Sequence, residues 1–200
     1  MTRPWLALLC ALMTIPGALA VPDDPVIGAL YARGLAGDRA AVTECIAALE
    51  KRLAAQPNDQ LARVYLGSTY TLLSRDLAIG PAKLSALRKG LALMDEAATA
   101  APEDASVQLN RAITNAAMPA FLGRRKFARA QLDQLVLQVE KNPAALTAAD
   151  RQLLYLNAGE AAQRAGETER AHSLWKQGLA LKADPRLTKE IASAIAAAVK

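Results

Sequence analysis

From residue 25 onward the apolar side chains return every three or four positions. Leu61, Tyr65, Leu66, Thr69, Leu72 and Leu73 trace one such stripe, and Leu132, Leu135, Val136 and Val139 another. That spacing belongs to one face of a helix, and no stretch alternates convincingly enough to predict a strand. Turn signals cut the pattern at Gly37-Asp38, Pro57-Asn58-Asp59, Pro102-Glu103-Asp104, Gly123, Asn142-Pro143, Gly166-Glu167 and Asp184-Pro185. The segments between them predict nine helices, near 25–35, 38–55, 59–74, 82–100, 104–120, 124–141, 147–165, 167–182 and 186–199. Connections of two to six residues require neighbouring helices to pack antiparallel.

Composition agrees with an all-α chain. Only 4% of the 200 residues are aromatic while 52% are hydrophobic, about a fifth of the chain being alanine. Alanine favours helices and disfavours strands, which argues against a sandwich or barrel. The apolar content is too high for disorder, and two cysteines are too few for a disulfide scaffold.

Residues 1–20 read as a cleaved signal peptide. Arg3 supplies the positive start, Trp5 to Ile15 the apolar run, and Ala18-x-Ala20 the small-residue cleavage site, so Val21 begins the mature chain. The run is too short to span a bilayer of ~30 Å comfortably. Cys10 lies too early in it for lipidation. Export to the periplasm of a Gram-negative envelope follows as an expectation. Losing Arg3 lowers the formal net charge from +5 to +4, a surplus that suits solubility and peripheral contact with an anionic envelope surface but not nucleic-acid binding. Cys45 remains, on the apolar side of its helix, and reads as a small core residue.

Residues 21–200 then form one repeat domain. The clearest unit runs from Gln152 to Pro185, with Tyr155, Ala158-Gly159, Ala162, a turn at Gly166-Glu167, Ala171, Trp175 and Gly178-Leu179. Small residues at Gly159 and Ala171 let two helices cross closely, with Tyr155 and Trp175 filling the flanking gaps. Arg63 to Tyr70 opens a second unit, with Gly67 and a partner helix carrying Met94, Ala97 and Ala98. A third, weaker unit has Gly123, Ala128, Leu132 and Pro143. These units resemble tetratricopeptide repeats. The resemblance implies antiparallel helix pairs stacked as a right-handed α-solenoid, with a C-terminal capping helix. Three departures stand out: residues 74–85 insert roughly ten residues into the central unit, Pro119 ends its helix early, and the first pair, 25–55, fits loosely.

No catalytic residue, cofactor site or metal site is expected. His172 has no ligand-spaced cysteine or carboxylate beside it, and nucleophile-elbow, phosphate-loop and zinc motifs are missing. A repeat array without such groups works as a surface, so the expected role is a non-enzymatic adaptor binding a protein or peptide partner. The alternatives are a structural subunit of a homo-oligomer or envelope assembly, and an enzyme or carrier with a pocket not evident in sequence. Carried over residue by residue, the repeat pattern places Val64, Tyr65 and Ser68, and Leu156, Asn157, Glu160 and Arg164, on the concave face as partner-binding candidates. Leu61, Thr71, Leu72, Asn110, Ile113, Thr114, Ala117, Leu153 and Gln163 accompany them. Glu160 would repel a terminal carboxylate, which disfavours a carboxylate clamp. Arg124, Arg125, Lys126 and Arg129 form the densest positive patch and a competing surface. Their place in a first turn opposes the helix dipole and asks for a reason.

Overall fold

Five aspartates start helices. The side chains of Asp24, Asp38, Asp59, Asp104 and Asp184 each accept from a backbone N–H two or three residues further along the chain, a cap worth ~1 kcal/mol apiece. The helices so begun, with the rest, are α1 (Pro25–Leu35), α2 (Arg39–Ala55), α3 (Gln60–Asp76), α4 (Pro81–Ala100), α5 (Ala105–Ala117), α6 (Arg124–Lys141), α7 (Ala148–Arg164), α8 (Thr168–Leu181) and α9 (Pro185–Ala198). A computed structural model describes residues 24–198, and no strand occurs among them. The expected signal peptide and cleavage site lie outside the described residues.

The helices pair as expected: α1 with α2, α3 with α4, α5 with α6, and α7 with α8. The first helix of each pair packs on the first helix of the next, and α9 closes the stack against α7 and α8. Leu187 and Ile191 supply its buried face. Pro119 ends α5 at Ala117, and the turn through Ala120–Leu122 reaches α6 by way of Gly123 at φ +70°. That positive φ favours glycine, which has no Cβ to clash there.

The insertion expected at 74–85 takes a different form. α3 runs on to Asp76 and α4 starts at Pro81, leaving a link of only four residues, 77–80. The extra chain is spent lengthening both helices. Lys83 secures the junction, its Nζ donating to the carbonyls of Ser74, Arg75 and Leu77 at 2.8, 3.3 and 3.0 Å, which satisfies orphan acceptors at the end of α3.

Glycines set the closest crossings. A Cβ on Gly67 would stand 2.6 Å from the carbonyl of Gly90, and one on Gly90 2.6 Å from that of Gly67. Backbone meets backbone there, so α3 and α4 touch without intervening side chains. In the last pair the arrangement differs from the expectation. Gly159 faces Trp175 itself, and an added Cβ would collide with its Nε1 and Cδ1. The indole therefore covers the glycine rather than flanking it, and its N–H donates to the Leu156 carbonyl at 3.2 Å.

Buried side chains fall into two groups. One joins α1 to α4 and includes Ile27, Tyr31, Cys45, Tyr65 and Met94. The other joins α5 to α9 and includes Leu132, Leu154, Trp175, Leu187 and Ile191. The two meet on α5, where Val107 belongs to the first and Ala105 and Leu109 to the second.

Candidate interaction groove

Stacking the first helices side by side leaves a concave cleft of about 650 Å³ that runs across α1, α3, α5, α7 and the start of α9. That volume is in the range that holds a ligand or a short peptide segment. Leu72, Leu109, Ile113, Met118 and Leu153 give it apolar walls, and Leu35 and Phe121 stand at its lip, 47% and 86% exposed. Most of the exposed lining is apolar, with serines, threonines and a few charged side chains among it.

Its polar groups are mostly engaged with one another. On the floor, the Tyr31 hydroxyl lies 2.7 Å from Ser68 Oγ, which lies 2.9 Å from Thr114 Oγ1. Thr71 donates to the Ser68 carbonyl at 2.7 Å. The rings of Tyr31 and Tyr65 meet edge to face, 4.9 Å apart. Asn110 brings a buried Oδ1 for which the protein supplies no donor. At one end Arg75 pairs with Asp76 at 2.7 Å and donates to the Gly34 carbonyl at 3.0 Å. At the other, Arg186 pairs with Glu190 at 3.1 Å. Arg75 and Arg186 thus have partners already, and most of the surface the cleft presents is apolar.

Burial pushes the phenols of Tyr31 and Tyr65 above the usual tyrosine range, although hydroxyl and amide neighbours pull partly the other way. Their folded-state pKa values exceed those of the unfolded chain. The stabilisation they provide is therefore complete below about pH 10, the ordinary phenol value, and is lost as pH rises through the folded values. In an alkaline titration, phenolate absorbance from these two tyrosines should emerge together with loss of helical circular dichroism. Phenolate signal from Tyr31 and Tyr65 in a still-folded chain would contradict the burial.

The sequence-derived candidates are distributed unevenly. Tyr65 and Ser68 line the cleft, as do Thr71, Leu72, Asn110, Ile113, Thr114, Ala117 and Leu153. Val64 and Leu156 are 0% and 6% exposed and serve as packing residues, because α3 and α7 are covered on more than one side by neighbouring helices. Asn157, Glu160 and Arg164 do not line the cleft. Asn157 donates to the Leu153 carbonyl at 2.9 Å, and Glu160 and Arg164 form a surface pair at 3.5 Å. Tyr31, Leu35, Met118, Phe121 and Asp150 also line the cleft and were not among the candidates. Tyr31 carried a readable signal, since it lies one turn before Gly34 on an apolar stripe.

The basic patch at the start of α6 is explained by partners inside the protein. Arg124 reaches Asp95 on α4 at 3.1 Å, beside Arg111 at 2.7 Å from the same carboxylate. Arg125 donates to the Met118 carbonyl at 2.7 Å, and Arg129 pairs with Glu167. These contacts answer the unfavourable dipole, and Arg125, held by a carbonyl, and Lys126 are the cations of the run without an ion pair among the described residues.

Among the described residues, no cluster of histidine, cysteine and carboxylates could hold a metal ion. His172 sits beside Trp175 with its ring centroid 5.9 Å away, and Cys45 is buried against Thr69. No helix among the described residues is long and apolar enough to cross a membrane.

No family model and no curated protein matches the sequence. Among solved structures, the chain is similar to a thermophilic TPR protein of Thermus thermophilus, with a TM-score of 0.61 over 89% of this chain and 82% of that one, at 21% identity. Four stacked helix pairs, glycine-mediated crossings and a capping helix agree with that likeness, and the chain has a tetratricopeptide-type all-α fold.

Proposed function

We propose that this protein is an exported, non-enzymatic adaptor of a bacterial cell envelope that takes an apolar segment of a partner protein into its concave cleft. One observation carries the reading: the cleft crosses every first helix of the array, yet its charged groups are engaged within the protein. Such a surface rewards burial of aliphatic and aromatic side chains far more than it rewards charge. Export rests on the sequence features of residues 1–20.

Ala117 is exposed within the cleft, so Ala117→Arg fills it without disturbing the core. With a photo-crosslinker at Ile113 in the exported protein, the reading expects a defined partner adduct. Ala117→Arg should weaken its capture by ~1–2 kcal/mol, roughly a tenfold loss in affinity. Intact mass of the recovered chain should start at Val21. Capture that survives Ala117→Arg but fails in Arg125→Ala and Lys126→Ala would move the interaction to the α6 turn. A concentration-independent oligomer in sedimentation would favour the structural-subunit alternative, for which exposed Leu35 and Phe121 at the lip provide apolar area.

A further inference from the structure

At the start of α6, Arg124 and Arg129 are paired with Asp95 and Glu167, whereas on the outer face of α4 only Lys89 has a carboxylate partner. A shallow depression along the first half of α4 is lined by Ile79, Pro81, Lys83, Leu84, Arg88 and Lys89, with small residues between them and no carboxylate. Ile79, in the four-residue link, is 98% exposed and Leu84 is 53% exposed. Together Ile79 and Leu84 give this face a small aliphatic tip that is free to be buried by an apolar layer. The three cations are placed around it. Arg88 has no ion pair among the described residues. Lys89 shares Glu50 at 3.3 Å and lies 4.2 Å from the centre of the Tyr70 ring. Lys83 spends its three N–H donors on the carbonyls at the end of α3 and lies within electrostatic reach of Asp76. The nearby acids are Glu50, shared with Lys89, and Asp76, held by Arg75 at 2.7 Å.

We propose that the α3–α4 link and the adjoining face of α4 dock on an anionic phospholipid surface. Ile79 and Leu84 enter the interfacial region, and Arg88 and Lys89 meet lipid phosphates, while Lys83 stays on its three carbonyls and adds only its charge behind them. A bilayer boundary fits this patch better than a protein does. It offers an apolar layer beneath a negative one, and it needs no matching relief from so shallow a surface. Charge complementarity supplies long-range attraction, and the aliphatic tip supplies the hold once contact is made. Lys83 lines both this patch and the end of the concave cleft, so docking would set the cleft alongside the membrane rather than facing it.

The test is co-sedimentation of the purified chain with vesicles of phosphatidylcholine alone and of phosphatidylcholine mixed with phosphatidylglycerol. Binding is expected on the mixed vesicles, falling as salt is added. Arg88→Glu and Ile79→Asp should each lower the partition coefficient by about tenfold. Both positions are exposed, so thermal melting should not move. Equal partition onto the two vesicle types would overturn the proposal. Parental partition of both variants would overturn it as well. So would a homodimer that these two substitutions dissociate, since the patch would then be covered by a second copy.

Discussion

Gly159→Leu destabilises the protein by ~3 kcal/mol or more, at the upper end of what overpacking costs. The first added carbon alone would overlap Trp175 Nε1 and Cδ1 and stand 2.8 Å from its Cε2, and three more carbons follow it. Trp175 has nowhere to go. It is 2% exposed, and its N–H is committed to the Leu156 carbonyl, so moving the ring opens a void and strands a buried donor together. Removing a helical glycine returns only ~1 kcal/mol of backbone entropy. Urea denaturation followed by Trp175 fluorescence measures the loss, with exposed Arg164→Ala as the reference within ~0.5 kcal/mol of the parent. An unshifted midpoint for Gly159→Leu would mean that α7 and α8 do not cross at this glycine.

The second large effect concerns the joint between the last pair and the capping helix. Gln152 is fully buried, and its Oε1 accepts from the backbone N–H groups of Ala183 and Asp184 at 3.1 and 2.8 Å while its amide donates to Thr188 at 2.9 Å. One side chain thus receives the chain as it leaves α8 and fastens it to the start of α9. Gln152→Ala leaves two backbone donors without an acceptor, and we expect a loss of ~3 kcal/mol. Gln152→Leu restores most of the volume but none of the hydrogen bonding, so it should lose nearly as much. Hydrogen exchange should find α9 opening first in both variants. A leucine variant as stable as the parent would show that Gln152 acts by filling space.

Helix boundaries were legible in the sequence because their causes are local. A capping aspartate, a proline at the first position or a glycine at positive φ acts within one turn of chain, and each marked a true end. The closing of α5 by Pro119 was readable for the same reason. Gly90 was not, because its importance depends on which residue of another helix lies opposite. Nothing within α4 distinguishes a glycine that meets Gly67 backbone to backbone from one that is merely tolerated. The site was legible to a similar extent. Repeat offsets placed Tyr65, Ser68, Ile113 and Leu153 on the cleft, but they count positions along one helix and take no account of how far its neighbours overlap it. Val64 and Leu156 are hidden by that overlap, and Glu160 and Arg164 lie too far along α7 to reach the cavity. The pairing of Arg124 with Asp95, 29 residues away, is equally non-local, and without it the basic turn looks unclaimed.

The meeting of two buried groups on α5 bears on how the molecule comes apart. Each group holds its own helices together, and only one face of a thirteen-residue helix belongs to both. Pulled from either terminus, or exchanged slowly in deuterated water, such a chain would yield in two stages, with one half persisting after the other has opened. The cleft straddles that seam, with Tyr31 and Tyr65 contributed from one side and Ile113 and Leu153 from the other. An occupant therefore acts as a clasp. It merges the two stages into one, and the width of the melting transition reports its presence even when its own signal is silent.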